Sequence, residues 1–272
     1  VQVTVSLVDG LSDTILVKIR KDFSWQTTDA KYKYSGQPIV LYDDEAAGPM
    51  SLVFEVRAKD QFASIGLVTE PDMMTSAHPK PRDIDRYWKN EKKSLHALPI
   101  TVKSEQVSGI EQGYTCANVE INCTGPKPAR GYFAKPTGAK PKSLPIVLQL
   151  HAAGVKGSWC LAQPQNAVEY AKKGKGALSF DLNAHGMLNG QPQLYYDQLD
   201  STELKGYFFA GIESRDDYYF RGMYLRLLRA IEFLTSQPEW DGQRILVMGE
   251  SQGGGQALAA AALDSRVTAV VA

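Results

Sequence analysis

The chain of 272 residues is poor in cysteine. Its three, Cys116, Cys123 and Cys160, are too few for a disulfide framework. Cys116 and Cys123 fall on opposite faces of a strand-like run, so buried free thiols are expected there. Cys160 follows a glycine-rich loop and is expected to be partly exposed. Histidine is as scarce: His78, His96, His151 and His185 are the full set. No Cys/His spacing resembles a zinc site, so neither a metal nor a cofactor is expected. An excess of one charge sign is missing too, with Lys+Arg and Asp+Glu both at 30. That argues against a nucleic-acid binder working through a basic face. No apolar run approaches the roughly 18–20 residues of a membrane helix; the longest is Ala257–Leu263. The chain starts on Val1, which we read as a processed N-terminus of a secreted or periplasmic protein.

What is present is an ordinary globular composition, 43% hydrophobic and 22% charged. Up to about residue 75 the apolar residues alternate with polar ones, broken by Gly, Asp and Pro clusters. This predicts a small all-β sandwich over 1–77. The stretch 75–83 reads as a linker, and Asp83 is placed to cap a helix whose apolar face is Ile84, Tyr87, Trp88, Leu95 and Leu98. Over 78–272 strands alternate with helices, which predicts a parallel α/β sheet. Its buried strands are 145–152 and 176–182. Helices are expected at 164–173 and 215–237, the second with an apolar stripe of Tyr224, Leu227, Leu228, Ile231 and Leu234.

One motif carries chemistry. Gly249-Glu250-Ser251-Gln252-Gly253 fits G-x-S-x-G, with an apolar strand before it and a helix-forming run after it. A serine nucleophile at such a corner has a strained backbone, and its neighbours must lack Cβ for strand and helix to meet. The N–H of Gln252, at the positive end of the helix, is the first candidate donor to an oxyanion. The second is expected from the loop 151–157, where the N–H of Ala152 or Ala153 is the candidate. The alternative for Ser251 is a plain helix N-cap.

The stretch from Tyr218 to Ala272 resembles the acetyl xylan esterase and cephalosporin C deacetylase family, carbohydrate esterase family 7. The likeness rests on Tyr-Tyr-x-Arg-Gly at 218–222, the Ser-Gln-Gly form of the elbow, and Leu-Asp-x-Arg-Val at 263–267. Over roughly 79–217 it is looser. The resemblance implies an α/β-hydrolase fold preceded by an immunoglobulin-like module, Ser251 as nucleophile, and Gln252 and Ala153 as oxyanion donors. It also implies removal of acetyl groups from acetylated xylan or a related carbohydrate. A feruloyl or other carbohydrate acyl esterase, or a non-catalytic protein of hydrolase fold, are the alternatives. Two loops depart from the family pattern. His151-Ala152-Ala153 replaces His-Gly-Tyr, and Asp181-Leu182-Asn183-Ala184-His185-Gly186 replaces Asp-x-Arg-Gly-Gln-Gly. His151 and His185 are therefore candidates to line the pocket, or to bond backbone at strand ends.

All four histidines precede Ser251, whereas the fold's triad runs Ser, acid, His. The expectation is that the triad acid and base are missing and the sheet is incomplete at its C-terminal side, the chain being a piece of a longer esterase. His185 acting as base out of order is the alternative. Self-association is left open.

Overall fold

The computed structural model describes residues 2–5, 14–21, 24–25, 30–33, 39–43, 50–58, 61–73 and 79–272. His78 and the first part of the expected linker, 75–78, lie outside the described residues. The chain divides into two compact units, Val1–Pro81 and Arg82–Ala272.

The N-terminal unit is built of antiparallel strands. β1 (Gln2–Val5) pairs with β5 (Ile39–Asp43). The other sheet runs β3 (Ser24–Trp25), β2 (Thr14–Lys21), β6 (Met50–Ala58), β7 (Gln61–Thr69), with β4 (Ala30–Lys33) also on β2. In β6 the alternate residues Leu52, Phe54 and Val56 are buried, the period of a strand with one covered face.

The second unit holds a seven-stranded sheet. Its members are β8 (Val102–Gln106), β9 (Tyr114–Ile121), β10 (Ala129–Pro136), β11 (Leu144–Leu150), β12 (Leu178–Asn183), β13 (Trp240–Gly249) and β14 (Ala269–Val271). Their order is β14-β13-β11-β12-β10-β9-β8. The expected parallel sheet makes up one part of it, and the sheet as a whole is mixed. β12, β11, β13 and β14 are parallel, while β8, β9 and β10 pair antiparallel, and β10 is antiparallel to β12. The reason lies in the connections. Short turns join β8 to β9 and β9 to β10, so the chain reverses, whereas a parallel neighbour needs a long crossover. Those crossovers carry α2 (Pro164–Ala171), α4 (Tyr219–Thr235) and α5 (Gln252–Leu263). α1 (Ile84–Ala97) precedes the sheet.

The segment between β12 and α4 contains α3 (Gln193–Ser201) and a 3-10 turn, Tyr207–Phe209. α4 begins at Tyr219, four residues later than expected. Asp83 precedes α1 but caps nothing with its side chain; its carboxylate pairs with Arg215 at 2.5 Å.

The core forms where β11 and β13 offer Ile146, Leu148, Leu150, Ile245 and Val247 to α4 and α5. α4 meets them with Leu227, Ala230, Ile231 and Leu234, and α5 with Ala257 and Ala260. The small alanines let α5 lie close to the sheet. On the far side of α4, Leu225 and Leu228 pack on Leu95 of α1. α4 is thus enclosed nearly all round, which is why its apolar stripe is wider than expected. All three cysteines are free. Cys160 is buried rather than exposed, because its Sγ turns inward and donates to the Gly157 carbonyl at 3.0 Å.

Candidate active site

Ser251 stands between the end of β13 and the start of α5, with φ 54° and ψ −117°. A non-glycine residue with that φ is strained, by about 1–3 kcal/mol, and persists only where its surroundings force it. Its side chain makes no capping hydrogen bond, so the helix-cap reading has nothing to rest on. The residue is exposed.

The two motif glycines make the corner sterically feasible. A Cβ on Gly249 would lie 2.5 Å from the carbonyl carbon of Gly253. A Cβ on Gly253 would lie 2.6 Å from the Leu150 carbonyl oxygen and 2.9 Å from that of His151. The start of α5 therefore rests directly on the end of β11. Leu150 and Gly249 are partners in the parallel register. Hence the loop after β11, with Ala153, and the turn after β13, with Ser251 and Gln252, leave the sheet side by side. Neither the Ala153 nor the Gln252 N–H is spent on a hydrogen bond among the described residues. Free amides at this end of the strands are what a developing oxyanion requires.

Three further bonds fix the surroundings. The Trp159 indole N–H donates to the Ala153 carbonyl at 3.0 Å. The Tyr207 hydroxyl donates to Gln252 Oε1 at 2.6 Å, holding the first residue of α5 from above. His185 Nε2 donates to the Gly154 carbonyl at 2.9 Å. Because Nε2 of His185 carries the proton, Nδ1 accepts from the Tyr219 hydroxyl at 2.8 Å. Burial, helped by the nearby Arg226 charge, lowers the His185 pKa to about 4, so this ring is neutral near pH 7.

His151 is the opposite case. Its Nε2 bonds the Asp181 carboxylate and its Nδ1 faces the Trp159 carbonyl at 3.3 Å. Both partners only accept, so the arrangement favours a proton on each ring nitrogen. Burial pulls the His151 pKa down, but the Asp181 hydrogen bond and charge outweigh it and leave the value raised. The other Asp181 oxygen accepts from the Gln163 N–H at 2.9 Å.

The expectations for the two histidines are therefore modified. His151 borders a cavity of about 310 Å³ with Gln149, Ala152, Trp159 and Gly249. His185 is 1% exposed and braces the loop from behind rather than lining an open pocket. With both nitrogens engaged, it is closed to Ser251 as a base. His96 pairs with Glu232, beside Thr235 and Arg266 at the other end of α4. Among the described residues no histidine is free to serve Ser251.

Sequence reasoning missed the His151–Asp181 pair and the Tyr207–Gln252 bond. A signal for the first was present: a carboxylate inside the apolar strand β12 must find a partner when buried. Tyr207 had none, since only the fold carries it to α5.

With this geometry in hand, a comparison with known proteins is decisive. The family model for acetyl xylan esterase (AXE1) matches residues 67–272. The chain belongs to the acetyl xylan esterase family. Acetyl esterase Axe7A of Xylanibacter ruminicola is 31% identical over 208 residues, covering 74% of this chain and 45% of its own. The acetyl xylan esterase from Paenibacillus sp. R4 superposes with a TM-score of 0.60 at 28% identity, over 72% of this chain and 60% of that one. Acetyl xylan esterase 1 from Thermoanaerobacterium sp. JW/SL YS485 gives 0.55 at 22% identity, over 72% and 59%. The fold of this family member is thus of the α/β-hydrolase type. The chain spans less than half the length of its curated relative. No helix among the described residues is long and apolar enough to cross a membrane.

Proposed function

We propose that the protein is a serine esterase that removes acetyl groups from acetylated xylan or a related carbohydrate, outside the cytoplasm where such polymers occur. The observation that carries this reading is the strained φ of Ser251 at a glycine-lined corner, beside two unspent amides. Ser251 Oγ attacks the acetyl carbonyl carbon and its proton passes to a base. The tetrahedral oxyanion is held by the N–H groups of Gln252 and Ala153, each worth about 3 kcal/mol in comparable sites. Collapse releases the sugar hydroxyl and leaves acetyl-Ser251, which water cleaves to acetate. The base and its orienting acid are not among the described residues. The N-terminal unit fits an immunoglobulin-like accessory module, in keeping with its antiparallel sheets.

The test is labelling of the full-length protein with an organophosphonate, followed by peptide mapping, together with acetate release from acetylated xylan. Label on Ser251, and loss of both signals in Ser251→Ala, are expected. An unlabelled Ser251 would favour a non-catalytic role. Faster turnover of feruloyl than acetyl esters would keep the chemistry and change the acyl group.

A further inference from the structure

Helix α4 carries three arginines on its inward side, and they are treated differently. Arg229 is 1% exposed and pairs with Glu232 at 2.9 Å. Arg221 pairs with Glu91 at 2.8 Å. Arg226 is also 1% exposed, yet no carboxylate pairs with it among the described residues. Its Nε and Nη2 both donate to one neutral acceptor, the Ala184 carbonyl, at 3.1 and 2.8 Å. Its carbon centre lies 5.9 Å from the Tyr219 ring, whose hydroxyl also interacts with the guanidinium but is neutral. A buried cation without a counter-charge is unfavourable by several kcal/mol. Burial accordingly pushes its guanidinium below its ordinary pKa.

The remaining nitrogen, Nη1, has somewhere to look. Arg226 lines a cavity of about 340 Å³, walled by Tyr218, Tyr219, Gly222, Lys127 and Pro126. A Cβ on Gly222 would stand 3.4 Å from Nη1, so the bare glycine leaves that side of the guanidinium open. Three acids also reach the cavity: Glu203, Asp216 and Asp217. Glu203 is engaged by Lys127 at 2.7 Å, and Asp216 interacts with the Tyr87 hydroxyl. These acids disfavour a dianion but leave one buried positive charge to be matched. No residue of 151–157 or 249–252 lines this space, so it is separate from the Ser251 site.

We propose that this cavity is a binding site for a small monovalent carboxylate, seated against Nη1 of Arg226 between Gly222 and the two tyrosines. A planar carboxylate matches the planar guanidinium, and the charge-assisted bond supplies the negative charge that the protein itself withholds. Acetate is the simplest ligand of this class. The site does not rest on the esterase reading.

The experiment is calorimetric titration of the full-length Ser251→Ala protein with sodium acetate, at ionic strength held constant with sodium chloride. Inorganic phosphate serves as the dianion. Saturable acetate binding is expected, with phosphate weaker. Arg226→Met should weaken acetate by about tenfold or more, the loss of one charged hydrogen bond. Gly222→Ala keeps the charge, favours the helix, and places a methyl over Nη1; it should weaken acetate similarly. Absence of saturable binding overturns the site, and so does unchanged affinity in Gly222→Ala, whatever Arg226→Met does. Phosphate binding as tightly as acetate overturns the preference for a single charge.

Discussion

Two glycines of α5, two residues apart, are expected to respond to alanine with opposite signs. At Gly255 a Cβ would meet nothing within 4 Å. Gly255→Ala should therefore gain about 0.5–1 kcal/mol from reduced chain entropy and better helix propensity. Gly253→Ala earns the same propensity but puts its methyl 2.6 Å from the Leu150 carbonyl oxygen. A carbon–oxygen contact wants about 3.3 Å, so α5 and β11 must part by about 0.7 Å. Both are core elements with little slack, and overpacking of this kind costs about 1–3 kcal/mol. The net for Gly253→Ala is a loss of about 1–2 kcal/mol, or a Tm lower by about 2–8 °C for a unit of this size. The two variants should differ by about 2–3 kcal/mol in urea unfolding with equal m-values. The same parting moves the Gln252 N–H away from the 151–157 loop, so phosphonate labelling of Ser251 should slow by about a hundredfold in Gly253→Ala alone. If Gly253→Ala matched Gly255→Ala in stability and labelled normally, the contact between α5 and β11 would not be what shapes the corner.

His185 has its pKa lowered to about 4, so the unfolded chain binds its proton first as pH falls. Its contribution is complete above about pH 6.5 and is lost toward pH 4, by about 3 kcal/mol; in His185→Gln that part of the acid dependence should vanish from unfolding curves. His151 runs the other way, because its folded pKa is raised. The advantage of wild type over Asp181→Asn should be full below about pH 6.5 and shrink as pH rises through the folded value, read by the same titration of stability. Tyr207→Phe leaves Gln252 Oε1 without its donor, beside an Nε2 that already has no partner. A loss of about 1–2 kcal/mol in unfolding free energy is expected. Ser251→Gly should raise stability by about 1 kcal/mol while abolishing labelling, since glycine accepts the positive φ.

The sequence by itself determined the corner. Gly249, Ser251 and Gly253 must be spaced as they are because a strand, a strained residue and a helix meet within five positions, and that constraint is local. It determined the core strands β11, β12 and β13 as well, since each carries a short apolar run of the kind that a sheet interior demands. The direction of β8, β9 and β10 escaped it, because hairpins and crossovers differ in what joins the strands and not in the strands. The roles of His151 and His185 also escaped it. Each sits at a strand end in the sequence, and only the surroundings supplied by other elements set their charge: Asp181 from β12 favours the charged ring of His151, while burial, helped by Arg226 from α4, keeps His185 neutral. Arg226 shows the limit most plainly. Three arginines lie on one helix: Arg229 meets Glu232 one turn further on, but only the packing of a distant segment gives Arg221 its Glu91, and no carboxylate among the described residues reaches Arg226.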